Sequence, residues 1–111
     1  MPKKSNFKVL WTFAANQDLE SIVDFIARDN PTAARLILDS LRKRADTLKT
    51  FPERGRVVPE LAHVGLYIYR ELLVNPWRLV YRVSNAMVYV MMVIDGRRNV
   101  EDLLLERLLR K

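Results

Sequence analysis

Residues 69–98 read YRELLVNPWRLVYRVSNAMVYVMMVIDGRR. Apolar and polar residues alternate along the first half, Asn75-Pro76 and Ser84-Asn85 interrupt the pattern, and Gly96-Arg97-Arg98 closes it. Asn, Ser and Pro favour turns because they bond locally to the backbone or fix φ, so the stretch is predicted to form strand, tight turn, strand, hairpin and strand. Side chains alternate across a strand. Trp77, Leu79, Tyr81 and Val83 therefore share one face, and Arg78, Val80 and Arg82 share the other. With a two-residue turn at Ser84-Asn85, or a four-residue one, Val83 faces the even-numbered side of the next strand. Val88, Val90 and Met92 then complete an apolar face for helices to cover, while Met87, Tyr89, Met91 and Val93 fall beside the arginines.

Upstream, Phe7, Val9, Trp11 and Phe13 alternate with Lys8, Leu10 and Thr12, which predicts a first strand. Leu19, Ile22, Val23 and Ile26 follow at i, i+3, i+4 and i+7, one stripe of a helix. Asn30-Pro31 restarts the chain, since Asn suits an N-cap and Pro the first helical position. Ala34, Leu38, Leu41, Ala45 and Leu48 then mark a second helix, with Arg42, Lys43 and Arg44 on or beside its outer surface. So short a connection predicts an antiparallel helical hairpin. The segment Phe51-Pro52-Glu53-Arg54-Gly55-Arg56 leads into a short strand near Val57 and Val58 and a longer one from Ile68 to Val74. The expected fold is α+β: a helical hairpin packed on a small twisted antiparallel sheet in the order β-α-α-β-β-β, with a last helix from about Asn99. No repeat or linker divides residues 1–111, which read as a single domain.

The chain of 111 residues is half hydrophobic and long enough to bury a core. Its longest apolar run, Ala86 to Ile94, is far short of the ~20 residues of a membrane span. Met1-Pro2-Lys3-Lys4-Ser5-Asn6 is positive but no signal-like apolar stretch follows it. With no cysteine and one histidine, thiolate and zinc sites are not expected, and a reducing cytoplasm is the expected location. Three glycines form no phosphate-binding loop, so no cofactor is expected. The net charge of +6 is spread along the chain: 9 basic and 6 acidic residues up to position 50, then 10 and 7. Such a surface attracts nucleic acid or an acidic protein, although a basic balance also serves solubility alone.

Candidate binding residues follow from this layout. Arg78 and Arg82 beside Tyr89 would edge an apolar floor, suited to an amphipathic helix or to single-stranded nucleic acid stacking on the tyrosine. Alternatively the two arginines pair with Glu71 or Glu60 across the sheet. Arg97 and Arg98 lie at a strand end, where guanidinium pairs grip phosphate or carboxylate, unless they merely face water. In the last helix Val100, Leu104, Leu105, Leu108 and Leu109 sweep half the circumference, with Leu103 on the far side. Docking on its own domain needs a narrower stripe, so the surplus calls for a second chain or for deep burial. His63 has no evident partner, and Ser5, Ser21, Ser40 and Ser84 lie in no nucleophile motif.

The ordered set Trp11, Asp18-Leu19-Glu20-Ser21-Ile22-Val23-Asp24-Phe25-Ile26, Asn30-Pro31-Thr32-Ala33-Ala34, Leu48 to Arg56, Arg70-Glu71-Leu72, Trp77 to Arg82 and Gly96-Arg97-Arg98 resembles the ParE/RelE superfamily of toxins from bacterial toxin–antitoxin pairs, which includes plasmid stabilisation proteins. The resemblance covers roughly residues 7 to 105. It implies a cognate antitoxin, ParD-like or a similar small acidic protein. For the RNA-cutting branch it implies a ribosome-dependent endonuclease, with Arg78 and Arg97 or Arg98 at two cationic positions. The terminal tyrosine of that branch falls near Leu103 or Leu104, which move no proton, and Asp95 stands where a histidine is often found. Cations are present and proton-transfer groups are not. The resemblance therefore points to the ParE-like branch, which poisons DNA gyrase and catalyses nothing, acting through Arg97, Arg98 and the helix after them with the groove of Arg78, Arg82 and Tyr89. A non-toxic family member retained only as a partner-binding or repressor module is the remaining alternative, and the apolar surplus of the last helix would then meet the antitoxin or another copy of the chain.

Overall fold

A computed structural model describes residues 6–109. Strand β1 (Lys8–Trp11) leads into α1 (Phe13–Ala27) and α2 (Pro31–Asp46), then a 3₁₀ turn, β2 (Arg56–Val57) and the single turn α3 (Pro59–Ala62). Strands β3 (Tyr69–Val74), β4 (Trp77–Ser84) and β5 (Met87–Asp95) follow, and α4 (Val100–Leu104) widens into a π turn over Leu105–Leu109. The five strands lie in the order β1-β5-β4-β3-β2. The α+β class and the helical hairpin agree with the sequence reading. The sheet is mixed rather than wholly antiparallel, because β1 lies parallel to β5 at the edge. Neither strand's composition specifies that pairing.

Local chemistry explains most boundaries. The side chain of Thr12 accepts the Ala15 N–H at 3.1 Å and donates to the Val90 carbonyl at 3.1 Å, so it starts α1 while holding it to β5. Phe13 thus opens the helix and is exposed instead of ending the strand as its alternation suggested. Asn30 caps α2 through the Ala33 N–H at 3.0 Å, with Pro31 at the first position as expected. In the turn before β2, the Tyr81 hydroxyl accepts the Gly55 N–H at 3.0 Å. A Cβ at residue 55 would stand 2.5 Å from the Glu71 carbonyl oxygen, so only glycine lets this turn lie against β3.

The hairpin register corrects one expectation. Ser84 pairs with Met87, leaving Asn85 (φ 56°) and Ala86 as the turn, and Val83 pairs with Val88 as the parity required. Between Val80 and Tyr81 the register shifts, since Val80 faces Met92 while Tyr81 faces Val90. The extra residue is a bulge, and it exchanges the faces of everything beyond it. Val93 therefore packs under the helices with Leu79, while Met92 and Ile94 join the arginine face. An apolar run on both faces hides such a slip from sequence inspection.

Two cores result. Ala15, Leu19, Leu41, Ala45 and Leu48 cover Leu72, Leu79, Tyr81, Val88, Val90 and Val93. On the other face Val58, Leu61, Val100 and Leu104 cover Tyr69, Val80, Met92 and Ile94. The open trough expected on the arginine face is therefore filled over this half by α3 and α4. No helix of the described residues is long and apolar enough to cross a membrane.

Candidate functional site

The strand-end arginines stand where two turns meet. Gly96 donates its N–H to the Pro76 carbonyl at 2.8 Å, and a Cβ there would lie 3.1 Å from that oxygen and 3.2 Å from Arg78 Cδ. The Asp95 carboxylate accepts the Arg97 backbone N–H at 2.9 Å and its guanidinium at 2.9 and 2.7 Å. Those hydrogen bonds bring the Asp95 carboxyl down to about 2. Arg98 follows without a side-chain hydrogen bond or ion pair among the described residues. Its side chain borders two adjoining cavities, of about 560 and 380 Å³, that share Ser21, Ile22 and Asp95. Phe25, Ile26 and Trp77 make the smaller one apolar, with Arg97 at its rim. An exposed guanidinium over a partly apolar cleft, near Asp95 but not hydrogen-bonded to it, suits a carboxylate or phosphate partner.

Arg78 has a different setting. Its Nε and Nη2 donate to Glu71 at 2.7 and 3.0 Å, and its Nη1 and Nη2 donate to Glu60 at 2.8 and 2.6 Å. Arg56 Nε adds a 2.6 Å bond to Glu71, whose side chain is fully buried. The hydrogen bond from Arg78 lowers the Glu60 carboxyl below its usual value, and Glu60 in turn raises the Arg78 guanidinium. The sequence alternative of pairing with Glu71 or Glu60 is thus realised for Arg78. Arg56, Arg78, Arg97 and Trp77 together line a cavity of about 370 Å³.

The other expected contacts separate. Arg82 lies over the Tyr89 ring, 5.9 Å from its centroid, at the far end of the sheet from Arg98. Leu104 is fully buried in the second core, which corrects its assignment to a partner surface. Leu105 and Leu108 pack half-buried on that core, as does Leu103. Arg107 anchors the segment through Asp18 at 2.9 and 3.0 Å, and Asp18 also accepts the Val93 N–H at 3.0 Å. Sequence reasoning missed that clamp, since its residues lie 89 positions apart. His63 is exposed, just after α3.

The family model described as the ParE toxin of the type II toxin–antitoxin system parDE matches residues 9–100. The chain is similar to Toxin RelE2 of Caulobacter vibrioides, 37% identical over 92 residues that cover 82% of this chain and 97% of that protein. It is also similar to Toxin ParE3 of the same organism, 28% identical over 94 residues covering 84% and 90%. Among solved structures, it matches a chain of the chromosomal ParDE TA system from P. aeruginosa with a TM-score of 0.68 at 18% identity, covering 82% of this chain and 97% of that one. It matches a chain of the toxin–antitoxin complex RelBE2 from Mycobacterium tuberculosis with a TM-score of 0.60 at 21% identity, covering 86% and 97%. Those two likenesses are of fold.

Proposed function

The chain belongs to the ParE toxin family of type II toxin–antitoxin systems, and on that premise we propose that it poisons DNA gyrase by binding, without catalysing a reaction, until a cognate antitoxin silences it. The observation that carries this reading is the state of the groups beside the arginines. Asp95 is held ionised down to about 2 by Arg97, and Glu60 is lowered by Arg78. A general base works best with a pKa near the working pH, and these carboxylates are too weakly basic for that role. Tyr81 is raised by burial and accepts a backbone N–H deep in the first core. What faces outward is fixed charge, chiefly Arg98 with Arg97 above the cleft of Phe25 and Trp77. Fixed charge suits binding to an anionic protein–DNA assembly better than proton transfer.

One observation favours the ribosome-dependent nuclease as second reading: the cavity that Arg56, Arg78 and Arg97 line together. Guanidiniums placed so stabilise charge developing on a phosphate. The two readings part in a pair of assays. Purified protein added to gyrase is expected to stop supercoiling and accumulate cleaved DNA, while leaving messenger RNA on translating ribosomes intact. Unimpaired gyrase at excess protein, together with codon-specific cuts in the message, would overturn the proposal.

A further inference from the structure

The smaller of the two cavities beside Arg98 opens between α1 and the paired strand ends, where Trp77 begins β4 opposite Asp95 at the close of β5. Two aromatic side chains wall it. Phe25 is 68% exposed, and Trp77 is half-buried, packed on the first core while lining the cleft. Three guanidiniums stand around those rings. Arg97 and Arg98 lie at the strand end, and the exposed Arg28 sits 5.9 Å from the centroid of the Phe25 ring. The carboxylate in the cleft, Asp95, is already taken by Arg97.

We propose that this cleft seats one unstacked base of a DNA single strand, with the base against Phe25 and Trp77 and the flanking phosphates on Arg28, Arg97 and Arg98. The inference rests on the gyrase reading, which supplies the DNA, and adds which part of that protein–DNA assembly this face meets. Ring and charge together choose the occupant. Bases and phosphates alternate along a single strand, and proteins hold such strands by stacking bases on aromatic side chains beside cations. A run of acidic side chains would use the cations and leave the rings without a flat partner. A duplex keeps its base faces stacked and offers only phosphates. The cleft, at about 380 Å³, lies in the size range of small-ligand sites and has room for one base. Arg28 covers one face of Phe25, and the exposure of that ring leaves the other face for stacking.

The test is fluorescence anisotropy of a labelled oligothymidylate of about eight nucleotides with the full chain. Binding is expected. An abasic strand of the same length and charge, or the same strand paired into a duplex, is expected to bind about tenfold more weakly or worse. Phe25→Ala and Arg98→Ala should each cost about tenfold in affinity, with folding checked by circular dichroism. Phe25→Trp should keep affinity, because it keeps a stacking surface. Arg42→Ala/Lys43→Ala removes two exposed charges from α2 outside the cleft, and it should cost far less than Phe25→Ala although it removes more charge. Equal affinity for the abasic strand or the duplex overturns the inference, because the cleft is then only a patch of charge. So does an equal loss in the α2 double variant, or binding of the oligouridylate counterpart that is about tenfold tighter, which would make RNA the ligand. Absence of strand binding, with DNA-free gyrase held through Phe25 instead, gives the cleft to a protein and overturns it too. Should gyrase stay active while the strand still seats between Phe25 and Trp77, the gyrase reading fails and the cleft assignment stands.

Discussion

Arg78 and Arg98 carry the same guanidinium, yet burial gives them opposite uses. Arg78 is 9% exposed and donates four hydrogen bonds to Glu60 and Glu71, so its charge is consumed inside the fold. Removing one partner of such a pair leaves a buried charge uncompensated, at about 3–5 kcal/mol. Glu60 still pairs with Arg78 when Glu71 is changed alone, so the double variant Glu60→Gln/Glu71→Gln should lower the unfolding free energy by about that much, measured by urea denaturation, and Glu71→Gln alone should cost less. Arg97 and Arg98 behave otherwise, because exposed ion pairs contribute little. Replacing both by alanine should abolish growth arrest while leaving the melting temperature within a few degrees of wild type. A folded double variant that remains fully toxic would move the target site elsewhere.

Elements show what holds the second face closed. α4 is short, but Val100 and Leu104 are buried and Asn99 caps it through the Asp102 N–H. The Arg107–Asp18 clamp then ties its π turn to α1 across the edge of β5. Leu104 belongs to the core, so Leu104→Ala should destabilise by about 2–5 kcal/mol in the same denaturation measurement. A loss of antitoxin affinity with no loss of stability would show instead that Leu104 faces a partner. The bulge at β4–β5 matters at this scale as well. By turning Met92 and Ile94 toward α4, it supplies the apolar platform on which the terminal helix rests.

The described residues form a sheet with a helical hairpin on one face, a partial cover on the other, and exposed guanidiniums at a strand end. Acid should loosen it in a predictable direction. Asp95 and Glu60 have folded pKa values depressed below their ordinary 3.8 and 4.5. Their contribution to stability is therefore complete above those ordinary values and is lost as pH falls through the folded ones. Melting temperature should be flat from pH 7 to about 5 and drop between pH 4.5 and 2, followed by circular dichroism. A rise over that window would contradict the pairing geometry.

What the amino-acid order determined by itself was everything carried by local periodicity and local chemistry. The α1–α2 hairpin followed from two apolar stripes and the Asn30-Pro31 restart, the β3–β5 meander from alternation and turn residues, and the Gly-Arg-Arg strand end from its own composition. The family was legible in the same ordered set. Tertiary structure alone decided the rest. Whether β5 slips at Met91 depends on which face each residue can bury, and an apolar run offers both. Whether Arg78 meets a ligand or Glu60 and Glu71 depends on α3 folding back over β4. Pairing between distant residues has no local signature. The free energy of burying a charge or a leucine is set by neighbours that the chain brings together only when it folds.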